Sequence, residues 1–304
     1  MKISHVGAMC LLVAGVSTVQ GQRLQPDWGG VIGFSNYLGD IGNGTTDGRP
    51  FISDVQPQET RMTVGVHAIY NMDRVWAVRG GLQFVGIAGD DAHTNAGPRR
   101  ARNLHFRNNL IEASARAEGY WRPNQSILSG TGVPTLYGFV GLAGFYSNPQ
   151  AREINAGPSV VGVWHNLRPE RTEGVAYSPF GIAIPWGLGA QWQVSGGWQI
   201  GTELCYRFTF TDYLDDISNS YAEGTYSSRA TEESVASAGE GAGLLSDHTY
   251  NPLAPNRRGN PENNDSYFSI QLTFSKATPR GRNGTSWTKR PGEHPARWDN
   301  PPRR

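Results

Sequence analysis

The chain alternates apolar and polar residues over segments of strand length, most clearly in the segment 198–210. There the even positions are mostly large and apolar, whereas the odd positions include Glu203, Cys205 and Arg207. Successive side chains of a strand point to opposite faces, so one face is apolar and the other carries charge. A soluble sandwich directs its apolar face inward, whereas a membrane barrel directs it to lipid and keeps the charges inside. This strand alone is compatible with both architectures.

Eight segments show the length and pattern of strands, although the fifth and sixth are assigned mainly from their order and turn signals. They are 28–37, 61–70, 75–85, 110–121, 136–146, 179–186, 198–210 and 266–275. The first, third, fifth and seventh connections are longer than the three between them. Outer-membrane barrels have long extracellular loops and short periplasmic turns. The sequence therefore predicts an all-β fold, an eight-stranded antiparallel transmembrane β-barrel with both termini periplasmic, rather than a soluble all-β domain.

Composition agrees with this class. The 304 residues have a net charge of +1 and a mean hydropathy of −0.47, with 39 glycines and 9 tryptophans. A net charge so close to zero does not favour nucleic-acid binding.

Residues 1–21 resemble a cleaved signal peptide, with Lys2 before an apolar stretch. The expected organisation is then a barrel with its loops over 22–275 and a basic, Pro- and Gly-rich tail over 276–304. Cys205 is the one cysteine after the signal segment, which excludes an internal disulfide.

The polar faces of the predicted strands carry a balanced set of charges. An unpaired buried charge costs several kcal/mol, and the interior of an eight-stranded barrel is just filled by side chains. These residues form either a polar conduction path or a salt-bridged plug, and the charge balance favours the plug. They are Arg79, Glu112, Arg116, Glu118, Glu203 and Arg207.

Charged residues also cluster at the ends of strands. Carboxylates there could bind Ca²⁺, or act as acids and bases with His93 or His105 in an outer-membrane protease. Nearby arginines favour structural salt bridges instead. Because no nucleophile elbow, phosphate loop or Cys/His metal spacing occurs, we expect no enzyme activity, metal or cofactor. The cluster comprises Asp90, Asp91, Arg102, Arg107, Asp212, Asp215 and Asp216.

The basic tail has two interpretations of equal weight. It is either a solvated chain end or a docking segment for an acidic periplasmic partner or for lipid headgroups. Tryptophans among its charges suit docking, since aromatic residues and arginine are favoured anchors. The candidate docking residues are Arg280, Arg282, Trp287, Lys289, Arg290, Arg297 and Trp298.

Several local strings together resemble the PorG family, an outer-membrane barrel of the type IX secretion system of Bacteroidota. In order they are 35–40 (SNYLGD), 89–91 (GDD), 102–107 (RNLHFR), 148–149 (NP), 172–174 (TEG), 184–187 (IPWG) and 209–218 (TFTDYLDDIS). The resemblance implies a non-enzymatic role in cargo export, in association with a periplasmic ring of the lipoprotein PorK with PorN. It also implies that the translocation pore belongs to a different, larger barrel. An outer-membrane enzyme and a small channel or ligand-binding barrel are the alternatives.

Overall fold

A computed structural model describes residues 26–41, 55–73, 75–93, 104–121, 133–152, 164–219 and 258–278. The predicted signal segment 1–21 and the tail from residue 279 onward lie outside the described residues. Within these ranges, no helix has the length and apolarity needed to cross a membrane.

Eight long strands carry the fold. They are β1 (Asp27–Leu38), β2 (Arg61–Asn71), β3 (Trp76–Asp90), β4 (His105–Trp121), β5 (Thr135–Tyr146), β8 (Phe180–Gln193), β9 (Trp198–Thr209) and β10 (Ser266–Lys276). The connection between β5 and β8 contains the short strands β6 (Gln150–Arg152) and β7 (Trp164–Asn166), followed by the one-turn helix α1 (Leu167–Glu170). Short 3₁₀ turns occupy Pro57–Glu59, Asp91–His93 and Ser195–Gly197.

The long strands form a closed antiparallel barrel. Each pairs with its neighbours in sequence, and β1 pairs with β10 from Trp28 opposite Lys276 to Leu38 opposite Ser266. This pairing completes the ring, so no long strand leaves a full edge of unpaired backbone groups. The predicted eight-stranded antiparallel barrel is confirmed.

The connections are sorted between the two ends of the barrel. The first residue of β1, the last residue of β10 and the connections after β2, β4 and β8 lie at one end, which we call the turn end. The connections after β1, β3, β5 and β9 lie at the other, the loop end. The alternation of connection lengths in the sequence thus corresponds to two chemically different ends.

The outer surface of the barrel is apolar between two aromatic zones. Near the turn end, Trp28, Trp76, Trp121 and Trp198 point outward and are about half or more exposed. Phe208 points outward near the loop end of β9, ten residues from Trp198. That separation is roughly 33 Å along a strand and roughly 25 Å in height at a typical barrel tilt. The apolar band of membrane-spanning barrels has about this height.

The hairpin of β3 and β4 is longer than predicted. The sequence places strand ends at Val85 and Leu110, but the ladder continues to Asp90 opposite His105. The segment 85–89 is buried on both faces, because residues of other loop-end connections pack on it. Gly89, for example, lies between Ile41 and Phe106. A strand covered on both faces shows no alternation, which is why this part was wrongly assigned to a loop.

Strand β8 also extends beyond its predicted end, from Trp186 to Gln193. Its inward positions include Gly181, Gly187 and Gly189. A Cβ atom at these positions would strike the rings of β5, respectively Phe145, Phe139 and Tyr137. Glycines on β8 thus make room for large rings on β5. Because glycines replace polar residues at the inward positions of β8, this strand lacks the apolar–polar alternation from which strands are predicted.

We expect Gly187→Ala to impair barrel formation, because its methyl group would overlap the Leu204 carbonyl and stand 2.8 Å from the Phe139 ring. Overpacking of this kind typically costs about 1–3 kcal/mol. The matched control is Gly144→Ala, where nothing lies within 4 Å of the new methyl group. Folded fraction is measured by heat-modifiable migration in electrophoresis. Equal folding of the two variants would contradict the close packing of β5 against β8.

Candidate functional site

Two arginines and two glutamates form a closed ionic group inside the barrel. Arg79 Nη1 donates to Glu203 Oε1 at 2.7 Å, and its Nε stands 2.7 Å from Glu118 Oε1. Arg116 donates from Nε to Glu118 at 2.9 Å and from Nη2 to both Glu203 oxygens at 2.7 and 2.8 Å. All four side chains are buried. Each carboxylate is therefore shared by both guanidinium groups, and the net charge of the group is zero.

Aromatic side chains complete this ionic group. The Tyr120 hydroxyl donates to Glu118 at 2.6 Å, and the Tyr137 hydroxyl donates to Glu203 at 2.5 Å. The Arg116 guanidinium carbon lies 4.1 Å from the centre of the Phe139 ring, within cation–π distance. Hydrogen bonds to charged groups are among the stronger ones in proteins, so the phenols add stability as well as volume.

A second ionic group lies nearer the loop end. Arg207 donates from Nε to Glu112 at 2.7 Å, from Nη1 to Ser269 at 2.7 Å and from Nη2 to Gln83 at 2.9 Å. The Tyr267 hydroxyl donates to Glu112 at 2.6 Å. The arginine is thus satisfied by one carboxylate and two neutral oxygens. The six interior charges named from the sequence are brought together as a group of four and a pair.

Apolar side chains close the barrel above the second ionic group. Residues of the strands, including Val85, Leu110 and Phe145, form one buried cluster with residues of the loop-end connections. Leu214 and Ile217, from the connection after β9, are 0% and 1% exposed in this cluster. The loop end is therefore filled by the chain's own connections.

Carboxylates surround the phenol of Tyr37 at the loop end. Its hydroxyl contacts Asp215 Oδ2 at 2.7 Å and also Asp265 Oδ1. A hydroxyl has one proton to donate, so the second contact requires a proton on a carboxyl group. Burial raises the pKa of Asp265, and the negative charges of Asp215 and Asp212 raise it further. The surroundings of Asp265 therefore favour its neutral form, and the additional proton is shared among Tyr37, Asp215 and Asp265.

The packed residues of the loop end, which include Tyr37, Glu173, Asp265 and the segment 212–218, are called the loop-end cap. Arg258 is a cation of this cap. Its Nη1 stands 3.4 Å from both Glu173 Oε1 and Asp216 Oδ2, and it also donates to the Asp216 carbonyl. The Tyr177 hydroxyl donates to Asp216 at 2.6 Å, and the Thr172 hydroxyl also donates to this carboxylate. Glu173 accepts the backbone N–H groups of residues 218 and 219. The contacts tie the connection between β5 and β8 to the connection between β9 and β10.

Asp212 differs from the other acids of the cap. Its side chain is 8% exposed, and neither carboxylate oxygen accepts a hydrogen bond within the described structure. Burial raises the pKa of Asp212 to about 9, with further contributions from Asp40, Asp215 and Glu173. These surroundings favour the neutral form of the Asp212 carboxyl group.

Among the basic residues of the predicted strand-end cluster, Arg107 has other partners than the aspartates. Arg107 donates to Gln150 Oε1 at 3.0 Å and lies 3.8 Å above the Trp164 ring. The expectation that Arg107 pairs with the aspartates was wrong, because β4 continues upward and directs it toward β6 and β7. Asp91 accepts the Leu104 N–H at 3.2 Å. Arg102 and the tail residues from 280 to 298 lie outside the described residues.

Several residues of the interior were missed by sequence analysis. Tyr120, Tyr137 and Tyr267 stand at inward positions of their strands, so strict use of the alternation would have found them. Arg258 had no such signal, because it stands outside any strand. Residues from three of the segments singled out in the sequence, Tyr37, Glu173 and 212–218, meet in the loop-end cap.

Neither a protein-family model nor a curated protein matches the chain. Two solved structures of Ail, the attachment invasion locus protein of Yersinia pestis, are similar to it, one of them in complex with the heparin analogue sucrose octasulfate. Each has 10% sequence identity and a TM-score of 0.33, over 83% of this chain and 98% of that chain. The class of protein, a closed antiparallel barrel of eight long strands, follows from the strand pairing of this chain itself.

Glu203→Gln should strongly destabilise the barrel, because it leaves Arg79 and Arg116 buried beside one remaining carboxylate. Breaking a buried ion pair on one side costs about 3–5 kcal/mol. The control Glu262→Gln removes the same charge from an exposed site. Urea unfolding followed by tryptophan fluorescence compares the free energies of unfolding. Similar values for the two variants would contradict the importance of the ionic group.

The raised pKa of Asp212 should make the stability of the loop-end cap depend on pH. Its folded pKa lies above the unfolded value near 3.8, so the folded state binds the additional proton. Its contribution to stability is therefore fully present below about pH 4 and is lost as pH rises through about 9. Asp212→Asn removes this contribution, and its melting temperature should fall less than that of the unaltered protein between neutral pH and pH 10. If the melting temperatures of both proteins fell equally with pH, the raised pKa of Asp212 would be contradicted.

Proposed function

We propose that the chain is an outer-membrane β-barrel that acts as a structural, anchoring component of a type IX protein secretion machine. The observation that carries this proposal is the filled interior. Two ionic groups and an apolar cluster occupy the barrel from its middle to its loop end. A barrel without an open lumen acts through its two ends and its outer surface.

The outer surface supports the membrane location. Large apolar residues are exposed on all eight long strands, and four exposed tryptophans, at positions 28, 76, 121 and 198, lie near the turn end, as expected at a membrane–water interface. The six charged residues of the two ionic groups, by contrast, lie in the interior and are buried. This combination is typical of a barrel in lipid and is unfavourable in water.

The two ends then have different tasks. By the usual orientation of such barrels, the turn end faces the periplasm and the loop end faces the exterior. The turn end has the short turns, both barrel termini and the start of the basic tail. It is therefore the surface offered to a periplasmic ring of PorK and PorN type. The loop-end cap closes the barrel and is available to another component of the machine.

The loop carboxylates give little support to the protease alternative. Asp215 contacts the Tyr37 hydroxyl, and Asp216 is engaged by Arg258, Thr172 and Tyr177. Both carboxylates are 1% exposed. A general base must be within reach of substrate, so these groups suit the packing of the cap better than hydrolysis.

Affinity capture from detergent-solubilised outer membranes at physiological salt tests the anchoring role. The full chain should recover a ring lipoprotein and its partner. Recovery of the barrel alone would contradict the proposal.

A variant that ends at Thr278 removes the tail and keeps the barrel complete, because the last pairing contacts of β10 are made by Lys276 with Trp28 and by the Ala277 N–H with the Gly197 carbonyl at 2.9 Å. Unchanged capture by this variant would assign the contact to the turns.

Planar-bilayer recording tests the closed interior separately. The purified barrel should insert without producing unitary conductance, because the ionic and apolar groups leave no polar path. A matched variant, Leu214→Ala, shortens a residue of the apolar closure without touching the ion pairs. Steady conductance by the unaltered protein would favour the small-channel alternative over the anchoring role.

A further inference from the structure

Three potential metal ligands meet at the loop end, outside the cap. Glu59 belongs to the first long connection, Asp90 ends β3, and His93 ends the following 3₁₀ turn. One ligand atom from each lies within 4.8 Å of the other two. In the described part of the chain, no other three His, Cys, Asp or Glu residues approach one another so closely.

The separation of the imidazole and the carboxylate suits a shared ion. His93 Nδ1 stands 3.6 Å from Glu59 Oε1, too far for a hydrogen bond. Zinc binds imidazole nitrogen at about 2.0 Å and carboxylate oxygen at about 2.1 Å, so neighbouring ligands of a tetrahedral ion are roughly 3.4 Å apart. The two atoms are therefore placed close to the edge of such a tetrahedron.

The backbone beneath these ligands is held in place by a buried amide. Gln56 Nε2 donates to the Asp90 carbonyl at 2.7 Å, and the Asp90 N–H donates back to Gln56 Oε1 at 2.9 Å. The Glu59 N–H donates to the Gln56 carbonyl at 3.0 Å, and Asn36 donates to the same carbonyl at 2.9 Å. One buried side chain thus fixes the segments of two ligands relative to each other.

Further hydrogen bonds orient the second segment. Asp90 Oδ1 accepts the Ala92 N–H at 2.8 Å, which fixes the carboxylate over its own turn. The Asp91 N–H donates to the Leu104 carbonyl at 2.8 Å and anchors the backbone that leads to His93. Metal sites are commonly stabilised by contacts of this kind, which orient the ligands before the ion arrives.

We propose that Glu59, Asp90 and His93 form a site for a divalent transition metal of the zinc type at the loop end of the barrel. An imidazole nitrogen with two carboxylate oxygens favours zinc over calcium or magnesium, which prefer oxygen alone. Three protein ligands leave a fourth position for water or for a donor from another molecule. The His93 side chain is 42% exposed, so an ion has access from solvent.

The neighbouring arginine is compatible with the site. Arg61 Nη2 contacts Glu59 Oε2 at 3.0 Å, on the oxygen that does not face His93. Arg61 is about half exposed, and exposed ion pairs contribute little to stability. Oε1 stays available to a metal, and the arginine fixes the carboxylate by its other oxygen. A bound ion would link the first and second long connections.

The site is tested with the purified, metal-stripped full-length barrel, without a polyhistidine tag. Isothermal titration with zinc should show one equivalent bound at micromolar free zinc, and calcium should not compete. Cobalt should give the visible absorption of a low-coordinate site. His93→Ala and Asp90→Asn should each weaken zinc affinity about tenfold or more. The control His165→Ala removes a histidine from β7, and its affinity should be unchanged.

Zinc should also raise the melting temperature of the unaltered protein and of His165→Ala, but not of His93→Ala. Heat-modifiable migration verifies that every variant is folded before titration. Absence of stoichiometric zinc binding by the unaltered protein overturns the proposal, and so does undiminished affinity in His93→Ala. These outcomes are independent of ring capture, so the metal site and the secretion role can fail separately.

Discussion

The requirement that buried charges be paired controls the interior of this barrel. Arg79, Arg116, Glu118 and Glu203 come from β3, β4 and β9, and none can be satisfied by its own strand alone. Removing a charge from water costs several kcal/mol unless a partner and hydrogen bonds replace the lost hydration. The ionic group therefore constrains the register of distant strands, and closure of the ring brings its members together.

Complementary size is the second constraint, and it depends on the first. The rings of Tyr137 and Phe139 extend from β5 over Gly189 and Gly187 of β8, and the same rings contact Arg79 and Arg116. The glycines thus make space for side chains that both fill the lumen and cover its charges. At the loop end the chain uses a different solution, because Leu214 and Ile217 enter the barrel from a connection. The side chains and connections of the chain itself fill the barrel, so its external surfaces are the ones available to partners.

The predicted strands were accurate where one face forms the apolar outer surface and the other lines the interior, as in β9, because that geometry gives strict alternation. The prediction failed where both faces are covered, at 86–90 of β3, and where glycines face rings, in β8. The interior charges could be named from alternation alone. Their division into a group of four and a pair could not be predicted, because Glu112 on β4 and Arg207 on β9 come together only when the barrel closes. Arg107 was assigned to the wrong partners because β4 extends further than predicted and pairs there with β6.

The class of fold and the inward charges could be predicted from the sequence, because both follow from a period of two along a strand. The sorting of long and short connections could be predicted as well, because it follows from their lengths in the chain. The tertiary structure alone decided which charges pair, that Arg258 serves Asp216 and Glu173, and that Glu59 meets Asp90 and His93. Most of these contacts join residues tens of positions apart, up to 124 for Arg79 and Glu203, and no local pattern encodes such distances. The alternation in β9 is compatible with a sandwich or a barrel, the pairing of β1 with β10 shows the barrel, and the contacts across its interior show it to be filled.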